Sequence, residues 1–273
     1  VHQILILEEG APHPAHPTEV AGAVHAAFGD YRLWTRDALA TFLDEAFGSR
    51  VLAAFERVRP FAYKADLARY CLLHHFGGWY FDYGLRGIAI PSDLPPVDLI
   101  AFRDRQAHSH TSWAVQCGLL YARPGLPALR EAVDICVENI ERGYYGPTSL
   151  SPTGPDALGR AVAGHGPETT MLLGDFVDLT PQHRRDNLAF VGPDGWIWAL
   201  YKATPPGRNG LPGENWYNDM WQQGLVYSVD PAADRPGMAL AEPYRAGDAI
   251  PSMRVRSLVL AALRDRLRMR RSR

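Results

Sequence analysis

Tyr63-Lys64-Ala65-Asp66-Leu67-Ala68-Arg69-Tyr70, followed by Gly77-Gly78-Trp79-Tyr80-Phe81-Asp82-Tyr83-Gly84, is the stretch on which the fold reading turns. Tyr63, Leu67, Tyr70 and His74 fall at i, i+4, i+7 and i+11, which predicts a helix over Phe61 to Phe76. Gly77-Gly78 ends it, because glycine tolerates the left-handed cap conformation. Trp79-Tyr80-Phe81 reads as an aromatic strand that stops at Asp82. Asp66 and Arg69, at i and i+3, share one face of the helix. A carboxylate, a guanidinium and a second carboxylate therefore gather round one strand end. Carboxylates accept from hydroxyls, and arginine donates to hydroxyls or phosphate, so the cluster suits a polyhydroxylated ligand. On spacing alone the Asp66–Arg69 pair also reads as a solvated surface ion pair worth about 0.3 kcal/mol.

Outward from this stretch, strands and helices alternate. Ile4-Leu5-Ile6-Leu7 and Tyr31-Arg32-Leu33-Trp34 read as strands, as do Leu99 to Phe102, Gly118 to Tyr121, Met171 to Leu173 and Phe176-Val177. Helices are expected from Thr18 to Phe28, after Thr35, over Val51 to Val58, over Pro127 to Arg142 and over Asp156 to Val162. This order predicts one α/β domain with a mostly parallel central sheet, whose ligand binds beyond the carboxyl ends of the strands.

The chain has 273 residues, a formal charge of −2, 47% apolar and 21% charged residues, and three cysteines. That apolar content supports a full core and excludes disorder as the main state. Cys71, Cys117 and Cys136 have no CxxC spacing, which excludes a disulfide scaffold. The near-zero net charge argues against nucleic acid as a partner. No apolar run approaches the roughly 20 residues of a membrane span. The expectation is a soluble, cytoplasmic protein. Arg254 to Arg273 holds eight arginines and one acid, Asp265, so 8 − 1 = +7 sits there and −2 − 7 = −9 on the rest. The chain divides into a domain over 1–250 and a basic amphipathic tail over 251–273, suited to peripheral contact with the inner face of an anionic membrane.

The central stretch resembles the signature of a sugar-transferring family. This family contains the yeast initiating mannosyltransferase and bacterial capsular-polysaccharide transferases, with the large clostridial glucosylating toxins as distant relatives. Its pattern is Ala-x-x-Asp-x-x-Arg-Tyr, then Gly-Gly-x-Tyr-x-Asp-x-Asp. Asp66, Arg69, Tyr70, Gly77, Gly78, Tyr80 and Asp82 carry the resemblance, with Ala62 one residue before the pattern's alanine, and Thr153-Gly154-Pro155 resembles a loop common in the family. The resemblance implies a GT-A fold, a Rossmann-like sheet that binds a nucleotide-diphosphate sugar, UDP- or GDP-linked. It implies transfer with retention to a glycan or lipid-linked acceptor. Asp66 and Arg69 would grip the sugar, and Asp82 would contact ribose, sugar and any metal. Tyr63, Gly78, Tyr83, Gly84, Gln116, Lys202 and Trp221 would complete the donor site.

The sequence departs from the family at two places. Gly84 stands where the second motif aspartate ligates Mn²⁺ or Mg²⁺, and glycine has no oxygen-bearing side chain to offer. Metal dependence is therefore left open. Lys202, helped by Arg86 or Arg208, is the candidate to neutralise the diphosphate instead. Leu5 stands where relatives stack a Trp on the base, which leaves Trp34 or the backbone for that contact. His74-His75 and His108-Ser109-His110 lack metal-site spacing, and His74 reads as a core histidine. Two alternatives stay open: a nucleotide-sugar-binding protein that lost catalysis with the second aspartate, and an effector that glycosylates a protein.

Overall fold

A computed structural model describes residues 1–8, 28, 30–91, 94–105, 109, 111–180, 187–201 and 215–228. The helix expected from Thr18, His108, His110, Lys202, the loop 205–214 with Arg208, and the tail 251–273 lie outside the described residues. The chain runs β1 (His2–Ile4), β2 (Arg32–Trp34), α1 (Arg36–Phe47), α2 (Ser49–Arg57), α3 (Phe61–Phe76), β3 (Gly78–Phe81), β4 (Arg86–Gly87) and β5 (Leu99–Arg103). It continues with β6 (Val115–Ala122), α4 (Pro127–Glu141), α5 (Pro155–Gly164), β7 (Met171–Asp178), β8 (Leu188–Val191), β9 (Ile197–Leu200) and α6 (Tyr217–Gln222).

The central helix matches its expected bounds. Gly77, at φ +66°, closes it: a Cβ there would lie 2.6 Å from Pro124 Cδ, so only glycine fits the turn. Its first N–H, on Phe61, is capped by Asn215 Oδ1 at 2.7 Å, a partner from far along the chain. Residues Asp66 through Leu73 are all buried, so the helix is enclosed on every side rather than amphipathic. Lys64, also buried, donates to the carbonyls of Phe55 and Glu56 at the end of α2. Cations are favoured at a helix carboxyl terminus. Burial, as the largest influence, lowers the Lys64 ammonium to about 8.

The nine strands form one sheet in the order β2-β1-β3-β6-β5-β7-β8-β9-β4. The expectation of a mostly parallel sheet is corrected here. β1–β2, β1–β3 and β5–β7 are parallel, and the other five pairings are antiparallel. Parallel neighbours need a crossover, usually a helix, to carry the chain back. The 11 residues between β5 and β6, the nine between β7 and β8 and the five between β8 and β9 are fewer than such a crossover takes, so the chain reverses and pairs antiparallel. The two strands expected at Met171 and Phe176 are one. Gly174 is a contact point rather than a break, since a Cβ there would lie 2.4 Å from the Val191 carbonyl.

Strand alternation sorts the core into two faces. Ile4, Trp34, Tyr80, Leu99 and Ala101 pack with α1 to α5. Trp79, Phe81, Ile100, Phe102, Phe190 and Trp198 pack together on the other face. Among the described residues no helix is long and apolar enough to cross a membrane.

Candidate active site

β3 delivers Asp82 to its carboxyl end with Tyr80 two residues earlier, so both side chains point to the α3 side. Tyr80 donates its hydroxyl to Asp82 Oδ1 at 3.1 Å. Arg69 reaches the same oxygen from α3, with Nη1 at 3.4 Å, and its guanidinium carbon lies 4.6 Å from the centre of the Tyr80 ring. One turn earlier on the helix, Asp66 Oδ1 is 3.1 Å from Arg69 Nη2. Thr153, in the Thr-Gly-Pro loop, donates to Asp66 Oδ2 at 2.9 Å. The sequence motif and the distant loop are thus one connected network.

The network is buried. The Asp66 and Arg69 side chains are 10% and 5% exposed, so the surface-pair reading of their spacing is overturned. Burial works against the Arg69 charge, but Tyr80, Asp82 and Asp66 outweigh it and hold the guanidinium well above its ordinary range. Burial also pushes the Tyr70 and Tyr80 hydroxyls up, so both remain donors. Tyr70 donates to the Thr153 carbonyl at 2.9 Å and lies 2.9 Å from Cys117 Sγ. Burial, its largest influence, raises the Cys117 thiol.

β6 carries an irregularity where it passes this cluster. Its register with β5 shifts between Ile100↔Tyr121 and Phe102↔Gln116. The slip changes which side chains face the helices: Val115 and Cys117 do so before it, Leu120 and Ala122 after it. Arg69 Nη1 donates to the Cys117 carbonyl at 2.7 Å, which pins the irregular segment to α3. Asp82 N–H donates to the Gly118 carbonyl at 2.8 Å, and Gln116 Oε1 accepts from Gly118 N–H.

Asp66, Arg69, Asp82 and Gln116 therefore come together, with Tyr83 and Gly84 in the turn that Leu85 N–H closes on the Asp82 carbonyl at 2.9 Å. Tyr83 is buried beside Leu5. Tyr63 donates to the Ser149 carbonyl, and burial raises its hydroxyl. Gly78 does not join the group: it starts β3, about 13 Å from Asp82 at strand rise, and adopts φ +84°. Trp221 is buried in the helix-side core with its indole N–H on the Tyr145 carbonyl at 2.9 Å. Trp34 is 1% exposed, bonds to His2 Nδ1 at 3.2 Å and lies under Arg32, so it presents no face to a base. Arg86 is exposed and pairs in register with Leu200, at the end of β9 that leads to Lys202.

Sequence reasoning missed three contributors. Gln3, fully buried in β1, donates to the Asp82 carbonyl at 3.4 Å and accepts from Tyr31. Asp156, in the first turn of α5, accepts from Ser151 at 2.7 Å and from Thr111 and Thr148 at longer range. Asp104, after β5, has an Oδ2 that is buried with no hydrogen-bond partner among the described residues. A lone polar residue in an apolar strand was the available signal for Gln3; the other two carry none beyond being aspartates.

Among the described residues the donor set does not make a protein-held divalent site. Asp82 is the one carboxylate in its turn, and its Oδ1 already faces Arg69 and Tyr80. Gly84 adds no side-chain oxygen. Among the described residues no group of three or more His, Cys, Asp and Glu side chains is arranged to hold a metal ion.

Neither a family model nor a curated protein matches this chain. Among solved structures it is similar to "PaToxG Glycosyltransferase", at 18% identity and a TM-score of 0.47, over 61% of this chain and 68% of that one.

Proposed function

We propose that the chain is a GT-A glycosyltransferase. It would move a sugar from a UDP- or GDP-linked donor to a glycan or lipid-linked acceptor, with retention. The observation that carries this is the buried Asp66–Arg69–Tyr80–Asp82 network, set at the carboxyl end of β3 and built from the residues of the motif. Ligands of α/β sheets bind at that end. Asp82 offers the sugar a carboxylate acceptor. Arg69 spends its N–H groups on Asp66, Ala65 O and Cys117 O and lies against Asp82, so it holds that acceptor and the β6 segment in place. Preorganised charge of this kind is where such a site gains rate.

The departing diphosphate needs cations. In this reading they are side chains: Lys202, with Arg86 at the end of β4 or Arg208. Transfer and donor hydrolysis are then expected to survive excess EDTA. Loss of activity with EDTA, restored by Mn²⁺, would remove the metal-free arrangement. A thermal-shift screen of UDP-, GDP-, CMP- and dTDP-sugars tests donor use first, because a ligand of the native state raises its stability. Asp82→Ala is expected to abolish turnover with the fold retained, and wild-type turnover in that variant would reject the site.

Gly84 favours a second reading, in which the chain binds nucleotide sugar without turnover. Binding with no hydrolysis or transfer in any acceptor screen distinguishes it.

A further inference from the structure

Gly118 lies in the interior of β6. Glycine weakens a strand interior and there marks a bulge or a close approach by another group. Its φ is not in the left-handed range, so the backbone does not require glycine. What a side chain would meet is specific. A Cβ on Gly118 would lie 3.1 Å from Asp82 Oδ2, 3.2 Å from Gln116 Oε1 and 3.4 Å from Asp82 Cγ. Its three nearest neighbours thus belong to the two acceptor-bearing side chains of the candidate site.

Both bordering oxygens are acceptors, one from a carboxylate and one from an amide whose orientation is fixed by Gly118 N–H. A recess with that lining takes a hydrogen-bond donor and disfavours an anion. We propose that Gly118 is a specificity-determining residue: the recess left by its missing side chain seats a hydroxyl-bearing edge of the donor's sugar against Asp82 and Gln116. This rests on the nucleotide-sugar reading above. In that reading Lys202 with Arg86 or Arg208, not the recess, meets the diphosphate, so filling the recess cancels what the sugar adds and leaves diphosphate binding intact.

Calorimetric titration of the full chain with UDP-glucose, GDP-mannose and dTDP-glucose, each beside its free nucleoside diphosphate, measures what the sugar adds. In the wild type the preferred sugar nucleotide is expected to bind about tenfold tighter than its diphosphate. Gly118→Ala is expected to bring the two within about twofold of each other, with diphosphate affinity unchanged. A Gly118→Ala protein that keeps the full sugar preference overturns the proposal. So does one that weakens sugar nucleotide and diphosphate alike. If Gly118→Ala does not fold, Gln116→Ala, which removes one wall of the recess, is expected to cut the sugar preference about fivefold, and an unchanged preference rejects the proposal. A wild type that binds none of the six probes removes the nucleotide-sugar reading itself.

Discussion

Asp82 and Asp104 occupy matching places in the sheet. β6 lies between β3 and β5, and each aspartate is the residue that follows its strand. Each gives its backbone N–H to a carbonyl on that chain segment at 2.8 Å, Asp82 to Gly118 within β6 and Asp104 to Ala114, the residue just before β6. The side chains meet opposite surroundings. Asp82 Oδ1 has a guanidinium and a phenol hydroxyl. Asp104 Oδ2 is buried with no hydrogen-bond partner among the described residues, and the guanidinium of neighbouring Arg105 is turned to Asp178 at 2.6 Å. Burial, with Asp156 nearby adding to it, raises the Asp104 carboxyl to about 6, although Arg105 opposes the shift. A place at a strand end therefore does not decide what a carboxylate does. The element packed over it does, and only Asp82 has α3 above it with a cation aimed inward.

The largest effect expected from breaking this contrast is Arg69→Met. The change removes the cation that both Asp66 and Asp82 face and leaves the two carboxylates largely enclosed without it. Breaking a buried ion pair from one side costs about 3–5 kcal/mol. Chemical denaturation should show a loss of that size. Adding Asp66→Asn and Asp82→Asn to Arg69→Met should recover part of it, because the stranded charges are gone. A stability within about 1 kcal/mol of wild type for Arg69→Met would mean that the network carries no weight.

Asp104→Asn should act in the opposite direction. An acid raised on folding keeps its proton in the native state where the unfolded chain has already lost it. Stability therefore falls as pH rises from about 4, the unfolded value, to about 6, and the penalty is fully present above that. The amide cannot ionise and escapes it. At pH 7.5 the variant is expected to be more stable by ~2 kcal/mol, with the difference vanishing near pH 4. Melting curves across that range decide it, and a variant that is less stable at pH 7.5 contradicts the assignment.

The two aspartates also mark what the sequence makes legible. The α3 helix and its glycine stop are local facts, written in a repeat and in a residue pair that only a turn tolerates, and they stand where expected. The gathering of Asp66, Arg69 and Asp82 is nearly local too, because one turn of helix and one short strand bring them together. Their burial is not local. It comes from α4, α5 and the sheet closing round α3, which no spacing inside the motif reports. Direction in the sheet failed for a related reason: β6 and β8 look like any apolar strand, and nothing within them reports that the connections before them are too short for a crossover. Trp221 and Trp34 look like donor-site groups in sequence, but each indole N–H finds an acceptor within the fold and each ring is buried in the core. Asp104 is set apart from Asp82 by distant segments, with Asp178 drawing Arg105 away and Asp156 close by, and its own neighbours in sequence are silent about them.

The smallest effect isolates a single hydrogen bond on the partnered side. Tyr80→Phe keeps the ring under Arg69 and deletes only the hydroxyl that donates to Asp82 Oδ1. Arg69 still faces that oxygen, so no acceptor is stranded and the cost is expected to be about 1 kcal/mol. The single variant does not show where the loss originates, since the hydroxyl is buried. A pair of double-mutant cycles does. Tyr80→Phe combined with Asp82→Asn should show a coupling of about 0.5–1.5 kcal/mol, because both changes remove parts of one bond. Tyr80→Phe combined with Asp104→Asn should be additive, because the two side chains share no partner. Coupling to Asp104 as large as that to Asp82 would mean that the two carboxylates respond to one another through β6. The sheet between them would then be part of the site rather than its support.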